Sequence, residues 1–186
     1  MAITKGNIDH IRQYKNEQGG LATSNRYQVM IATPPLLTGD SRNISGRGLS
    51  IVCDSAPLPG ISYSTGSIQD IGPEYLYPYT ASFEDLELSF FCSESMQERI
   101  FFDAWFESIS PITETNFPKF SFRDDYVTTI TMDKLNHRDE RVYSLKLIEA
   151  YPITMSDQEM GYDSNDALKL SITFNYSRWV YNDAPE

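Results

Sequence analysis

Apolar and polar side chains alternate at every second position along much of this chain, and a period of two predicts β-strands. The clearest run is Leu168, Leu170, Ile172, Phe174 and Tyr176, separated by Lys169, Ser171, Thr173 and Asn175. One face of such a strand is apolar and the other polar. At roughly 3.3 Å per residue, a single strand from Ala167 to Trp179 would run about 40 Å, long for a domain of this size. Shorter alternating runs occur at Tyr27, Val29, Ile31, at Leu86, Leu88, Phe90 and at Tyr143, Leu145, Leu147. Tyr126 to Met132 reads as a further strand, and the polar segment Asp133–Glu140 joins it to the one beginning near Val142.

The period changes to that of a helix once. Ser95 and Glu98 stand in S-x-x-E spacing, which predicts a capping box with each side chain bonding an orphan amide of the first turn. Ile100, Phe101, Ala104, Trp105 and Ile109 follow at helical spacing, and Ser110-Pro111 ends the run. A weaker helix is expected over Asn7–Asn16, closed by Gly19-Gly20. Thr33–Leu49, rich in Pro, Gly, Ser and Arg, is expected to be a loop or extended hairpin. There is no internal repeat and no low-complexity tract. The expected plan is mainly β with one packed helix: an N-terminal segment over 1–24, one β domain over 25–182 and a short tail over 183–186.

Composition narrows the class. The 186 residues suffice for one domain with a single core. Twelve Tyr, ten Phe and two Trp supply rings suited to half-exposed sheets and protein–protein interfaces. No apolar run approaches the roughly 18–20 residues of a membrane helix, and Met1–Asn16 has no continuous apolar stretch that would mark a secretory signal. Cys53 and Cys92 are too few for a disulfide framework or a four-cysteine zinc site, and are expected as buried, reduced thiols of a protein made in the cytoplasm. The net charge of −11 argues against tight DNA binding, which gains affinity by neutralising phosphates. That charge is unevenly spread. Residues 1–48 hold six basic and three acidic side chains, whereas 49–98 hold eight acids and no Lys or Arg. A solvated acidic surface explains this; so do two surfaces of opposite sign on one molecule.

Chemistry is poorly supplied. His10 lies in the charged N-terminal segment and His137 in a hairpin-like turn, neither in the rigid cleft that nucleophilic catalysis needs. Gly46-Arg47-Gly48 is too short for a phosphate loop. Asp157, Glu159, Asp163 and Asp166 are the best metal candidates but lack the glycine and terminal glutamate of a calcium loop, and read as a capped turn. Asp124-Asp125 reads as the entry to a strand. No catalytic residue, metal or cofactor is expected.

Three blocks in order resemble the tail tube proteins of contractile-tailed (myovirus-type) bacteriophages. The first is Asn25-Arg26-Tyr27-Gln28-Val29-Met30-Ile31, similar to that family's opening strand. The second is Cys53-Asp54-Ser55-Ala56-Pro57-Leu58-Pro59-Gly60, followed by Phe83, Asp85, Leu86 and Leu88 and by a helix with Phe102, Trp105 and Ile109. The third is Tyr151-Pro152-Ile153, then Tyr162-Asp163-Ser164-Asn165, then a closing strand ending in Tyr176 and Trp179. The resemblance covers most of Asn25 to Trp179. It implies two packed antiparallel sheets forming a β-barrel or sandwich with one flanking helix. It implies hexameric rings stacked into a hollow tube inside a contractile sheath, which conducts DNA after a tape-measure protein leaves the lumen. Baseplate tube-initiator and tail terminator proteins would be further partners, with no membrane among them, and the location would be the virion, assembled in the host cytoplasm. Two expectations follow: an electronegative bore, and a contact of the Thr33–Leu49 loop, through Arg42 and Arg47, with a neighbouring subunit or ring. Alternatives within the class are a baseplate ring that starts the tube or the tube of a related injection device. A soluble β-barrel that binds a ligand or acts as an enzyme is the alternative from another class.

Overall fold

The computed structural model describes residues 13, 15, 20–39, 46–69, 71–111, 119–163 and 166–182. Of the weaker helix expected over Asn7–Asn16, only Gln13 and Lys15 are among them, and both are helical. His10, Arg42, Ser164 and Asn165 lie outside the described residues.

Nine strands and three short or medium helices are described. They follow the order β1 (Tyr27–Ile31), a 3-10 turn (Pro35–Leu37), α1 (Gly46–Ile51), β2 (Cys53–Ser55), β3 (Ser62–Ile68), β4 (Tyr75–Ser82), β5 (Leu86–Phe91), α2 (Gln97–Ile109), α3 (Arg123–Tyr126), β6 (Thr128–Leu135), β7 (Arg141–Met155), β8 (Lys169–Asn175) and β9 (Arg178–Tyr181). Every pairing is antiparallel. Seven strands form one sheet in the order β1-β6-β7-β8-β5-β2, with β9 also on β7; β3 and β4 form a separate two-stranded sheet. The expected mainly β fold of two antiparallel sheets is therefore present, with short helices beside the one flanking helix that was expected.

The large sheet folds over at β7, whose 15 residues make it the longest strand described. Glu149 takes φ 56°, in the left-handed region, and β7 gains a residue against β6 between the pairs Ile130↔Leu147 and Thr128↔Ala150. Such a bulge bends a strand and increases its twist. Val29, Ile31, Ile130, Met132 and Leu147 from one half then share a core with Leu86, Leu88, Phe90, Leu170, Ile172 and Phe174 from the other.

The single strand expected from Ala167 to Trp179 is corrected to two, β8 and β9. They lie on the same side of β7 in one register, since Asn175 faces Tyr151 and Arg178 faces Ile148. Tyr176 and Ser177 break the run. The Tyr176 side chain is buried against Phe83, and the Ser177 amide donates to the Ile148 carbonyl at 3.0 Å beside the β7 bulge. One bent strand forces its partner to bend with it.

Helix α2 seals the core with Phe101, Phe102, Ala104 and Trp105, all fully buried. The Phe102 ring lies 5.4 Å from Phe90, and Trp105 lies 5.9 Å from Phe174. The expected Ser95–Glu98 capping box does not form. Met96 occupies the cap with φ 53° and makes no side-chain cap bond. Glu98 instead reaches past it, accepting from the Ser93 amide at 2.9 Å and the Ser93 hydroxyl at 2.8 Å. Burial pushes the Glu98 carboxyl up, but the donors outweigh it and hold it below the ordinary value. A carboxylate lowered in the folded state stabilises fully above its unfolded pKa and loses that contribution as pH falls through the folded one. Glu98→Gln is accordingly expected to cost about 1.5–3 kcal/mol near pH 7, with the difference shrinking below about pH 4. Urea melts of both proteins at the two pH values check this.

Two further expectations are corrected. Thr33–Leu49 is not a plain loop where it is described: the 3-10 turn and α1 bring Leu37 and Leu49 into the core. Burial of two leucines outweighs the local preference of Pro and Gly for turns. Tyr126 does not begin a strand but ends α3, with the Val127 amide closing the turn onto Arg123 at 3.1 Å. The Trp105 indole claims the Tyr126 carbonyl at 2.9 Å, so that carbonyl is held by the helix above it.

Candidate assembly surface

The two ends of the large sheet, β1 and β2, meet without a backbone ladder. Tyr27 closes the gap: its hydroxyl is 3.0 Å from the Cys53 carbonyl and 2.6 Å from that of Asp54. Desolvation is the main cause that pushes this hydroxyl's pKa up, which keeps the donor in place. Leu58 lies over the same end, near Val29 and Met132. The Trp179 indole donates to the Gly60 carbonyl at 3.4 Å. The structure thus gathers Tyr27, Val29, the Pro57-Leu58-Pro59-Gly60 turn and Trp179, which are scattered along the sequence, at one end of the folded sheet. Asn25 is exposed at the turn before β1, and Gln28 is half-buried. Tyr151 and Pro152 do not join the group. They line a groove against α2 with Phe106, Ile109, Phe120 and Ile153. Tyr162 and Asp163 are exposed on a loop, and Tyr176 is buried.

From this end springs the β3–β4 hairpin. Its chain leaves at Gly60 and returns at Phe83–Asp85. The return limb is fastened to the same kink by the Phe83–Tyr176 rings, 6.1 Å apart, and by Asn175 donating to Asp85 at 2.8 Å. Beyond the base none of the described elements covers it. Tyr63, Ile68, Ile71, Tyr75, Leu76 and Tyr79 are exposed, Ile71 almost completely at 99%. The two strands touch mainly each other. Tyr77 lies across Gly66 so closely that a Cβ there would come within 2.9 Å of its ring. Residues 62–82 contain no Lys or Arg. A two-stranded hairpin is marginal in water by itself, and contiguous exposed apolar surface marks an interaction site.

The remaining candidates are dispersed. His137 is exposed in the turn that Asn136 organises by accepting from the Arg138 and Glu140 amides at 2.8 and 2.9 Å. Asp157, Glu159, Asp163 and Asp166 are spread along an exposed loop, and no group of three or more metal-ligating side chains gathers among the described residues. Cys53 and Cys92 are half-buried rather than buried, and burial is the main cause that raises both thiols, Cys53 to about 11. Among the described residues no helix is long and apolar enough to cross a membrane.

Residues 22–182 match the family described as phage tail tube protein. The chain belongs to that family. Its fold agrees: a chain in the structure of the PVC sheath/tube terminator, part of an extracellular contractile injection system, superposes with a TM-score of 0.62 at 16% identity, covering 87% of this chain and 96% of that one. A chain of the PVC sheath–tube complex in its extended state gives 0.58 at 17% identity, covering 96% and 99%. A chain of the tube-terminating cap of the anti-feeding prophage gives 0.60 at 18% identity, covering 99% and 100%. None of the curated protein sequences searched matches this tail tube family member. The family is structural, and its members are components of a virion.

The alternation of the flanking strands does not single out the hairpin. The usable signal was compositional: Tyr75, Tyr77 and Tyr79 beside Gly72-Pro73, in a stretch with no basic residue.

Proposed function

We propose that this tail tube protein assembles as stacked hexameric rings forming the inner tube of a contractile tail, the conduit for genome delivery. The observation that carries this reading is the hairpin: a family member of the tube class exposes an apolar two-stranded sheet that the described residues leave uncovered. Copies of one chain in a closed ring cover such surfaces in turn, with no free end. Sheath protein would lie outside the tube, and tape-measure protein and then DNA inside. A tail terminator and a baseplate initiator would end it, all in the virion after assembly in the host cytoplasm. The polar face of β5 and β8, with Glu87 exposed, the Ser89 and Ser171 hydroxyls 2.8 Å apart and the charge of Lys169 met by Asp54 at 2.7 Å, supports a bore that does not hold phosphates. Arg42 and Arg47 serve the contact between subunits or rings in this reading, and the residues gathered with Tyr27 and Trp179 set the geometry of the end that carries the hairpin. Negative-stain microscopy of the purified protein, alone and with the other tail components, tests it. Rings or hollow rods are expected; a persistent monomer under both conditions overturns it.

A further inference from the structure

The face of β1, β6, β7 and β9 turned away from the core carries a row of four oxygen-bearing side chains. Val29 and Met132 belong to the core, so Gln28 and Asp133, their neighbours along the strands, point the other way. Gln28 stands opposite Asp133, and Asp133 opposite Ser144. Asn182, just past β9, completes the row. Its amide donates to the Ser144 carbonyl at 3.0 Å and its side-chain nitrogen to the Ser144 hydroxyl at 3.4 Å.

Asp133 is only 8% exposed, and its Oδ1 is buried without a hydrogen-bond partner. A buried carboxylate left unpaired is strongly destabilising. The basic side chains nearby do not answer it. Arg26 pairs with Asp139. Lys134 donates to the Arg26 and Leu135 carbonyls at 2.5 and 3.3 Å. Lys146 belongs to the next row, between Thr131 and Val180.

The row is not a cluster of acids: one carboxylate stands among two amides and a hydroxyl. It has neither the thiolate nor the imidazole that selects zinc or copper. Oxygen donors alone suit hard cations. Calcium takes six to eight of them in flexible geometry, water included, whereas magnesium demands a near-ideal octahedron. At a strand spacing of about 4.7–4.9 Å, Gln28 and Ser144 flank Asp133 closely enough to turn towards an ion at its carboxylate. A basic side chain from another chain would have to reach an oxygen that this molecule already encloses; a bare ion is smaller.

We propose that this row binds a hard cation, calcium in preference to magnesium. The Asp133 carboxylate supplies the charge, Gln28, Ser144 and Asn182 supply neutral oxygens, and water completes the shell. The ion ties together β1, β6, β7 and the end of β9. This does not depend on the assembly reading above.

Calorimetry and thermal melts of the full chain, stripped with a chelator and then given calcium, magnesium or sodium chloride at constant ionic strength, test it. The wild type is expected to bind calcium with a Tm that rises and then saturates, to respond more weakly to magnesium and not to sodium. Asp133→Asn keeps the shape and removes the charge; it should weaken calcium binding at least about tenfold, since affinity follows ligand charge. Gln28→Ala, at a half-buried position, should weaken it less and reads the site even where Asp133→Asn does not fold. Calcium binding unchanged in either folded variant places the ion elsewhere and overturns the proposal. A wild type with no saturable response to calcium overturns it as well.

Discussion

Tyr75→Asp with Leu76→Asp should leave a folded monomer and abolish ring formation. Neighbouring residues on a strand point to opposite faces, so the double change puts a carboxylate on each face of the hairpin. Both side chains are exposed, at 70% and 61%, and neither belongs to the core. Changes at such positions typically move monomer stability by no more than about 0.5 kcal/mol. An interface that covers the hairpin must desolvate two added carboxylates, and the hairpin itself, residues 62–82, has no Lys or Arg to pair with them. Even about 3 kcal/mol per subunit contact is more than a 100-fold loss of affinity, and a ring repeats that loss at every contact. Light scattering after gel filtration reads the assembly state, and circular dichroism checks the monomer. Rings formed at wild-type concentration would remove the hairpin from the assembly surface.

The largest expected loss of stability comes from Trp105→Ala, about 3–5 kcal/mol. Trp105 is fully buried and meets Phe101, Phe102 and Phe174 with ring centres 5.8, 6.3 and 5.9 Å away. Its removal opens a cavity at the junction of α2 with the sheet and strips the Tyr126 carbonyl of the indole donor at 2.9 Å. Against a typical domain stability of roughly 5–15 kcal/mol, that is a large share. Trp105→Phe keeps much of the packing and loses the hydrogen bond, so its cost should be smaller. Urea denaturation of the three proteins orders them. The two experiments separate folding from assembly: Trp105→Ala loses rings through the monomer, whereas the hairpin change loses them with the monomer intact.

Strand faces were legible in the sequence wherever alternation was unbroken. Leu170, Ile172 and Phe174 are buried and Lys169 is exposed, as the pattern predicts. The apolar face of α2 was legible for the same reason, because which side a residue takes depends on its near neighbours alone. Its cap was misread: S-x-x-E names two residues that can bond, whereas Ser93, five positions before Glu98, stood closer once Met96 took a left-handed turn. The resemblance carried by the Asn25–Ile31, Cys53–Gly60 and Tyr151–Trp179 blocks was readable because it lies in order along the chain. The convergence of Tyr27, Gly60 and Trp179 was not, since contacts across 26 and 119 residues leave no local period.

By itself, then, the sequence determined that this is a β-rich structural chain, which faces of its strands are apolar, and where its core helix lies. Only the tertiary structure decided where the long C-terminal strand breaks, that the described residues leave the hairpin without cover, and that β9 pairs with β7 alone among the described strands. The reason is physical. The side a residue occupies follows from backbone geometry over a few positions, but the presence of a neighbour is a property of the whole packing. The bulge at Glu149 and the burial of Tyr176 bend β7 and its partner together, and that shared bend sends Phe83–Asp85 outward and leaves the strand beside it unmatched.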